Sequence, residues 1–208
     1  SIHLYNRSRQ LFKQLAELRK ADPPRISGAE IMQLMNGGFR MPREEFNQVL
    51  EATLHEATHS QRTLAAKSRL LVAGSILNNV DFIKTIEDLG GLVVADELCT
   101  GMRYWMAPVD TSLEPYEAIA RRYLAIPPCA RMVRVEERIR NMMDMIREFR
   151  IDGVICEVIR FCASYAHEQP LIRQALEAAG IPVLELDVEY GASGTGQIRT
   201  RVQAFLEM

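Results

Sequence analysis

No run of the 208 residues is apolar over the length a membrane-spanning helix requires, and the amino terminus carries no secretory pattern. The expectation is therefore a cytoplasmic protein with no membrane among its partners. Charge of one sign is also lacking. The 25 Lys and Arg against 27 Asp and Glu leave a net charge of −2, so no nucleic-acid footprint is expected. Cysteine is sparse: four residues in a chain of this size make no disulfide scaffold. Without an export signal they read as thiols or metal ligands in a reducing compartment. The glycine-rich stretch 191–197 has neither the dinucleotide spacing nor the lysine of a P-loop, so it fits neither nucleotide fingerprint. What is present is ordinary for a globular chain, 48% hydrophobic and 25% charged. The length suits one domain, or one domain with a helical attachment. The chain begins at Ser1, without methionine, inside what reads as a helix, which points to a processed chain or a fragment.

Two textures divide the sequence. Residues 1–66 form a helical region. Leu4, Leu11, Leu15 and Leu18 recur at helical spacing, with breaks near Asp22-Pro23-Pro24 and Gly37-Gly38. Ser27 with Glu30 spells a capping box ahead of Ile31, Met32 and Met35. Pro42 opens a third helix expected to run to about Ala66. Residues 67–208 alternate strand and helix. Strands are expected at 69–73, 92–95, 154–160 and 183–186, with helices at 80–89, 114–124, 136–150, 167–179 and 198–206. This rhythm implies right-handed crossovers and a parallel sheet covered on both faces. The predicted fold is α/β, a flavodoxin-like or Rossmann-like parallel sheet in a three-layer sandwich, preceded by the helical region. Its expected strand order is 2-1-3-4.

Ligands bind at the carboxyl ends of strands in such a sheet, and three cysteines point there. Cys162 follows the third strand and Cys99 the second, while Cys129 follows Pro127-Pro128. That placement suits soft-metal chemistry; the plainer alternative is a packing or supporting role. Their sulfurs are expected to converge near Ser75 and the Gly194–Gly196 turn. Cys156, mid-strand among Val154, Ile155 and Val158, reads as core. His55 and His59 have metal-pair spacing, yet Glu51, Glu56 and Arg62 suggest a solvated face. His167 is expected to head a helix, as a cap or a packing residue. The 191–197 turn leads into a helix amino terminus and is either an anion site, through Gly194, Gly196 and Gln197, or a tight turn. The charges of 136–150 read as the wet face of an amphipathic helix. The apolar faces of residues 2–66 and the strand-end loops are expected to need another domain or subunit to cover them.

Several stretches together carry a resemblance. They are Leu18-Arg19-Lys20-Ala21-Asp22-Pro23-Pro24, Asp96 to Tyr104 through Cys99-Thr100-Gly101, Pro127-Pro128-Cys129, Asp152-Gly153-Val154-Ile155 leading to Phe161-Cys162, and Gly194 to Phe205. In that order the chain resembles the carboxyl-terminal half of subunits of the 2-hydroxyacyl-CoA dehydratase / benzoyl-CoA reductase family. The resemblance implies a related amino-terminal domain or a paralogous subunit as partner. It further implies a [4Fe–4S] cluster held between domains, with Cys162 as a ligand on this half and Cys99 and Cys129 as motif cysteines. An acyl-CoA substrate and a separate ATP-dependent iron–sulfur activator complete what it implies. Two classes of function stay open on this reading. One is an iron–sulfur subunit, or half-subunit, that dehydrates a 2-hydroxyacyl-CoA through a radical or reduces an aromatic acyl-CoA. The other is a non-enzymatic electron-transfer or docking module of the same fold. An unrelated flavodoxin-like domain binding a small anion is a third reading.

Overall fold

The computed structural model describes residues 1–189 and 195–208. Three helices, α1 (Ile2–Lys20), α2 (Gly28–Gly38) and α3 (Arg43–His59), precede β1 (Ser68–Gly74). Then come α4 (Val80–Asp88), β2 (Gly91–Glu97), α5 (Met102–Trp105), α6 (Pro115–Ala125), α7 (Val135–Phe149) and β3 (Gly153–Ile159). The described chain closes with α8 (Ala163–Ala178), β4 (Val183–Val188) and α9 (Thr195–Leu206). The four strands form one parallel sheet in the order β2-β1-β3-β4, as expected, with β1 and β3 at its centre. Both central strands are nearly continuous apolar runs because both faces are buried. Leu71, Val94 and Val154 meet α1, α7 and α8 in one layer, while Leu70, Val72 and Ile155 meet α4 and α9 in the other.

The Ser27–Glu30 capping box forms as read, each partner accepting the other's backbone N–H. Gly28 lets α2 lie directly on β2, since a Cβ there would stand 2.6 Å from Val93 Cβ. Arg19, buried in α1, donates to the Val93 carbonyl at 3.0 Å. The free edge of β2 is thereby covered. At the opposite edge Arg201 of α9 donates to the Glu185 carbonyl of β4 at 2.8 Å.

The apolar faces of the first three helices pack mostly within the chain, although Tyr5, Phe39, Met41 and Val49 stay exposed, so most of the surface expected to need another domain or subunit is covered internally. Leu11, Phe12, Leu15, Ile31, Phe46 and Leu50 share one buried cluster with Leu71 and Leu92. Each such fully buried side chain stabilises by about 1.5–3 kcal/mol. The third helix also ends at His59 rather than near Ala66. Ser60 turns extended, its hydroxyl accepts from Arg62 N, and Leu64 N donates to Pro24 O at 3.0 Å. The helix formers Gln61, Arg62, Leu64, Ala65 and Ala66 thus lie outside any helix, with Leu64 tied to Pro24 by that tertiary bond. The helix expected from His167 starts four residues earlier, at Ala163, with Cys162 at its N-cap. His167 therefore lies exposed in the second turn and heads nothing.

Candidate functional site

The loops that leave β1, β2 and β3 meet at the carboxyl edge of the sheet, and Ser75 joins them. Its backbone N donates to Glu157 O and its carbonyl accepts from Cys99 N. Its hydroxyl donates to Glu157 Oε2 at 3.1 Å and accepts from Ile159 N at 3.1 Å. Ser75 is buried, so its side chain fastens the edge from inside. Gly74 is what permits this approach. Its φ is +151°, and a Cβ there would stand 1.8 Å from the Glu157 carbonyl oxygen.

The three cysteines singled out from the sequence are all free and half-buried. Cys99 and Cys162 pack against a small cluster of Ala130, Val158 and Tyr165. Cys129 caps the 3-10 turn Ala130–Met132 that contributes Ala130. The Cys99 sulfur lies 3.3 Å from the Tyr165 hydroxyl. Burial raises the Cys99 thiol pKa, while the Tyr165 hydroxyl pulls it the other way. Among the described residues, no three His, Cys, Asp or Glu side chains form a group placed to hold a metal ion. The donors are of the right chemistry for an iron–sulfur cluster, yet they do not make a closed ligand set here. Cys156 is core, its thiol pushed up to about 12 by burial.

Behind Cys99 lies a buried charge network that sequence reasoning does not reveal. Glu97, at the end of β2, is paired with Arg103 and with Arg138, whose Nη2 lies 2.6 Å away. Arg138 also meets Glu168 at 2.9 Å and sits over the Tyr165 ring, 4.5 Å from its centroid. Burial disfavours the Arg138 charge, but the carboxylates of Glu97 and Glu168 outweigh it and raise the pKa above the ordinary arginine value. The expectation that the charges of 136–150 form a wet face is thus corrected at Arg138. A signal is available, because Arg138, Met142, Met145 and Phe149 share one helical stripe and all four are buried.

The remaining candidates make no hydrogen bond to the cysteines among the described residues. Gly196 and Gln197 open α9 and are exposed, while Gly194 lies outside the described residues. His55 and His59 stack at 4.2 Å on an exposed face of α3, and His59 Nδ1 lies 2.8 Å from the His55 carbonyl.

Glu157 is the least comfortable group at the edge. It is fully buried, and its Oε1 has no hydrogen-bond partner among the described residues. Burial pushes its carboxyl from 4.5 up to about 7, against the pull of the Ser75 hydroxyl. Between those two values the folded state keeps a proton that the unfolded state has released. Stability therefore falls as pH rises through that window and levels off above it, a span of about 3 kcal/mol. In Glu157→Gln this slope should vanish. Urea unfolding at pH 5.5 and pH 8 checks it, and an unchanged difference between the two pH values would count against the assignment.

A parallel sheet with a covered free edge and free thiols at its carboxyl end defines the class, a flavodoxin-like α/β domain with a candidate soft-ligand edge. The whole chain, residues 1–208, matches the family described as 2-hydroxyglutaryl-CoA dehydratase, D-component, and it belongs to that family. It is 30% identical over its full length to the putative dehydratase subunit YjiM of Escherichia coli (strain K12), covering 56% of that protein. To the beta subunit of (R)-2-hydroxyglutaryl-CoA dehydratase of Acidaminococcus fermentans the identity is 23%, covering all of this chain and 56% of that protein. A benzoyl-CoA reductase polypeptide of Thauera aromatica is 24% identical over the whole of this chain, which spans 55% of it. The chain thus spans about half the length of the curated relatives it matches. Among the described residues no helix is long and apolar enough to cross a membrane.

Proposed function

We propose that this chain is the carboxyl-terminal part of an iron–sulfur subunit in a CoA-thioester dehydratase or reductase. Cys162 holds the cluster on this half, and Cys99 and Cys129 stand beside it as further ligands or supports. The observation that carries the reading is that two free, half-buried thiols, Cys99 and Cys162, pack on one small cluster at the sheet edge, with Cys129 next to its Ala130, in a chain matched by the family over residues 1–208. When bound, a [4Fe–4S] cluster supplies single electrons at a potential set by the sulfur hydrogen bonds and solvent exposure around it.

The chain's own residues prepare that edge. The Tyr165 hydroxyl and the Cys99 sulfur share a hydrogen bond, and Arg138 fixes the Tyr165 ring from behind. Ala130 and Val158 keep water from the inner side. Gly196 and Gln197, opening α9, offer backbone N–H groups to an anion such as a CoA phosphate. The remaining ligands come from a second domain or a paralogous subunit. Support for such a cover lies in the exposed apolar residues around the edge: Ile76, Met132, Val133 and a fully exposed Phe161. Val133 and Phe161 also hold positive φ angles of 50° and 69°. Strain at non-glycine residues is retained mostly where function needs it. The substrate is an acyl-CoA, and the electrons come from an ATP-hydrolysing iron–sulfur activator.

The test is iron content and turnover in the complete complex prepared without oxygen. Cys162→Ser should lose the cluster's visible absorption and the activity, whereas Cys156→Ala should keep both and lose only packing stability. Full iron and activity in the Cys162 variant would end this reading. A colourless wild-type complex would favour a docking module.

A further inference from the structure

On the flank of the sandwich, away from the cysteines, α1, the Met102–Pro108 segment and the end of α7 enclose a cavity of about 370 Å³. That volume lies within the range of small-molecule sites. One wall is apolar and aromatic, with Trp105, Met106 and Phe149. Trp105 is stacked on Phe12, 5.1 Å between centroids and 13° between planes. The segment behind it is held open by Arg122, which donates to the carbonyls of Tyr104, Met106 and Ala107. Ala107 keeps a positive φ of 55° under that clamp. The wall is therefore formed before anything binds, which lowers the entropy cost of binding.

The opposite wall is a stripe of α1 with an uneven charge. At one end Lys20 is matched by Glu17 and Glu148, at 2.7 and 2.5 Å. Toward the other end, among the described residues, Arg9 and Lys13 have no carboxylate partner. Arg9 meets only Asn6 Oδ1, besides lying over the Tyr5 ring. Burial first, then the nearby Arg122 and Arg43 guanidinium groups, lower the Arg9 pKa from the ordinary arginine value. This end of the cavity carries positive charge that the chain itself does not neutralise.

We propose that the cavity binds a small aromatic anion, its ring against the Trp105–Met106 wall and its negative group at Arg9 and Lys13. The shared chemistry is a flat ring bearing a phosphate or carboxylate, as in a nucleoside monophosphate or an aryl carboxylate. The proposal goes beyond the thiol edge and does not depend on it.

Trp105 is the one tryptophan of the sequence and lines the cavity, so its fluorescence reads the site directly. Adenosine monophosphate and benzoate are titrated into the full chain, with adenosine and inorganic phosphate as controls. A saturable change with either aromatic anion, weakened about tenfold or more in Lys13→Glu, supports the site, since reversing an unpaired cation turns attraction into repulsion and a tenfold loss of affinity needs a difference of only about 1.4 kcal/mol. A response to the nucleotide alone identifies the phosphate source, and one to benzoate alone the carboxylate source. Lys13 is exposed, so the variant keeps the fold. No saturable change with either anion, an equal response to neutral adenosine, or an unaltered affinity in Lys13→Glu overturns the proposal.

Discussion

Replacing Arg138 with methionine should cost about 3–5 kcal/mol of unfolding free energy, because two carboxylates remain in the interior with too little positive charge. Glu97 keeps Arg103, but Glu168 loses its ion-pair partner, and both are buried. The loss should reach the thiol edge as well. Arg138 holds the Tyr165 ring, and Tyr165 touches the Cys99 sulfur, so the alkylation rate of Cys99 should change in the variant. A triple change, Arg138→Met with Glu97→Gln and Glu168→Gln, removes the stranded charges and should recover much of the stability. Denaturant unfolding of the three proteins decides this. A single-variant cost below about 1 kcal/mol, the scale of an exposed pair, would show that the network does not carry the load assigned to it.

Gly74→Ala should be harsher still. The added methyl would meet the Glu157 carbonyl oxygen at 1.8 Å, and backbone on both sides leaves no flexible group to give way. The φ of +151° adds a conformational penalty for any side chain. The central pair β1 and β3 would have to separate at the edge, and Ser75 would lose its hold on Glu157 and Ile159. A cost above about 4–5 kcal/mol follows, enough to leave little native protein in a chain of ordinary stability. Gly180→Ala is the control. Gly180 also has a positive φ, +76°, but nothing lies within 4 Å of the added methyl. It should cost about 1–2 kcal/mol, the left-handed penalty alone. Equal thermal midpoints for the two variants would remove the steric argument.

The sheet was legible because its strands obey period and punctuation together. Leu70 to Ala73 is an apolar run, as is Val154 to Val158 but for Glu157, and the helices between them forced a parallel order. Boundaries failed where a tertiary bond outweighed local preference. Leu64 is drawn to Pro24 and so ends α3 early, while the turn in which Cys162 N donates to Ile159 O starts α8 four residues before His167. The positions of Cys99 and Cys162 just after β2 and β3 were countable from the strand ends, whereas Cys129 follows α6 and no strand marks it. The charges behind them were not, because a buried arginine on an amphipathic helix looks like its wet neighbours until its register against Met142 and Phe149 is traced. The side cavity is invisible to any local pattern. It joins α1 to residues more than eighty positions later, and only packing brings Lys13 opposite Trp105.

The two guarded sheet edges differ in when their guards exist. A ribosome releases α1 and α2 long before β2, so Arg19 and Gly28 are already waiting when the Val93 carbonyl emerges. At β4 the order is reversed: Glu185 is made before Arg201. During synthesis, then, the nascent sheet has one bare side at a time, and that side is β4 for as long as α9 is still inside the tunnel. Until α9 is free to fold back, β4 and not β2 is the side on which a neighbouring strand could pair.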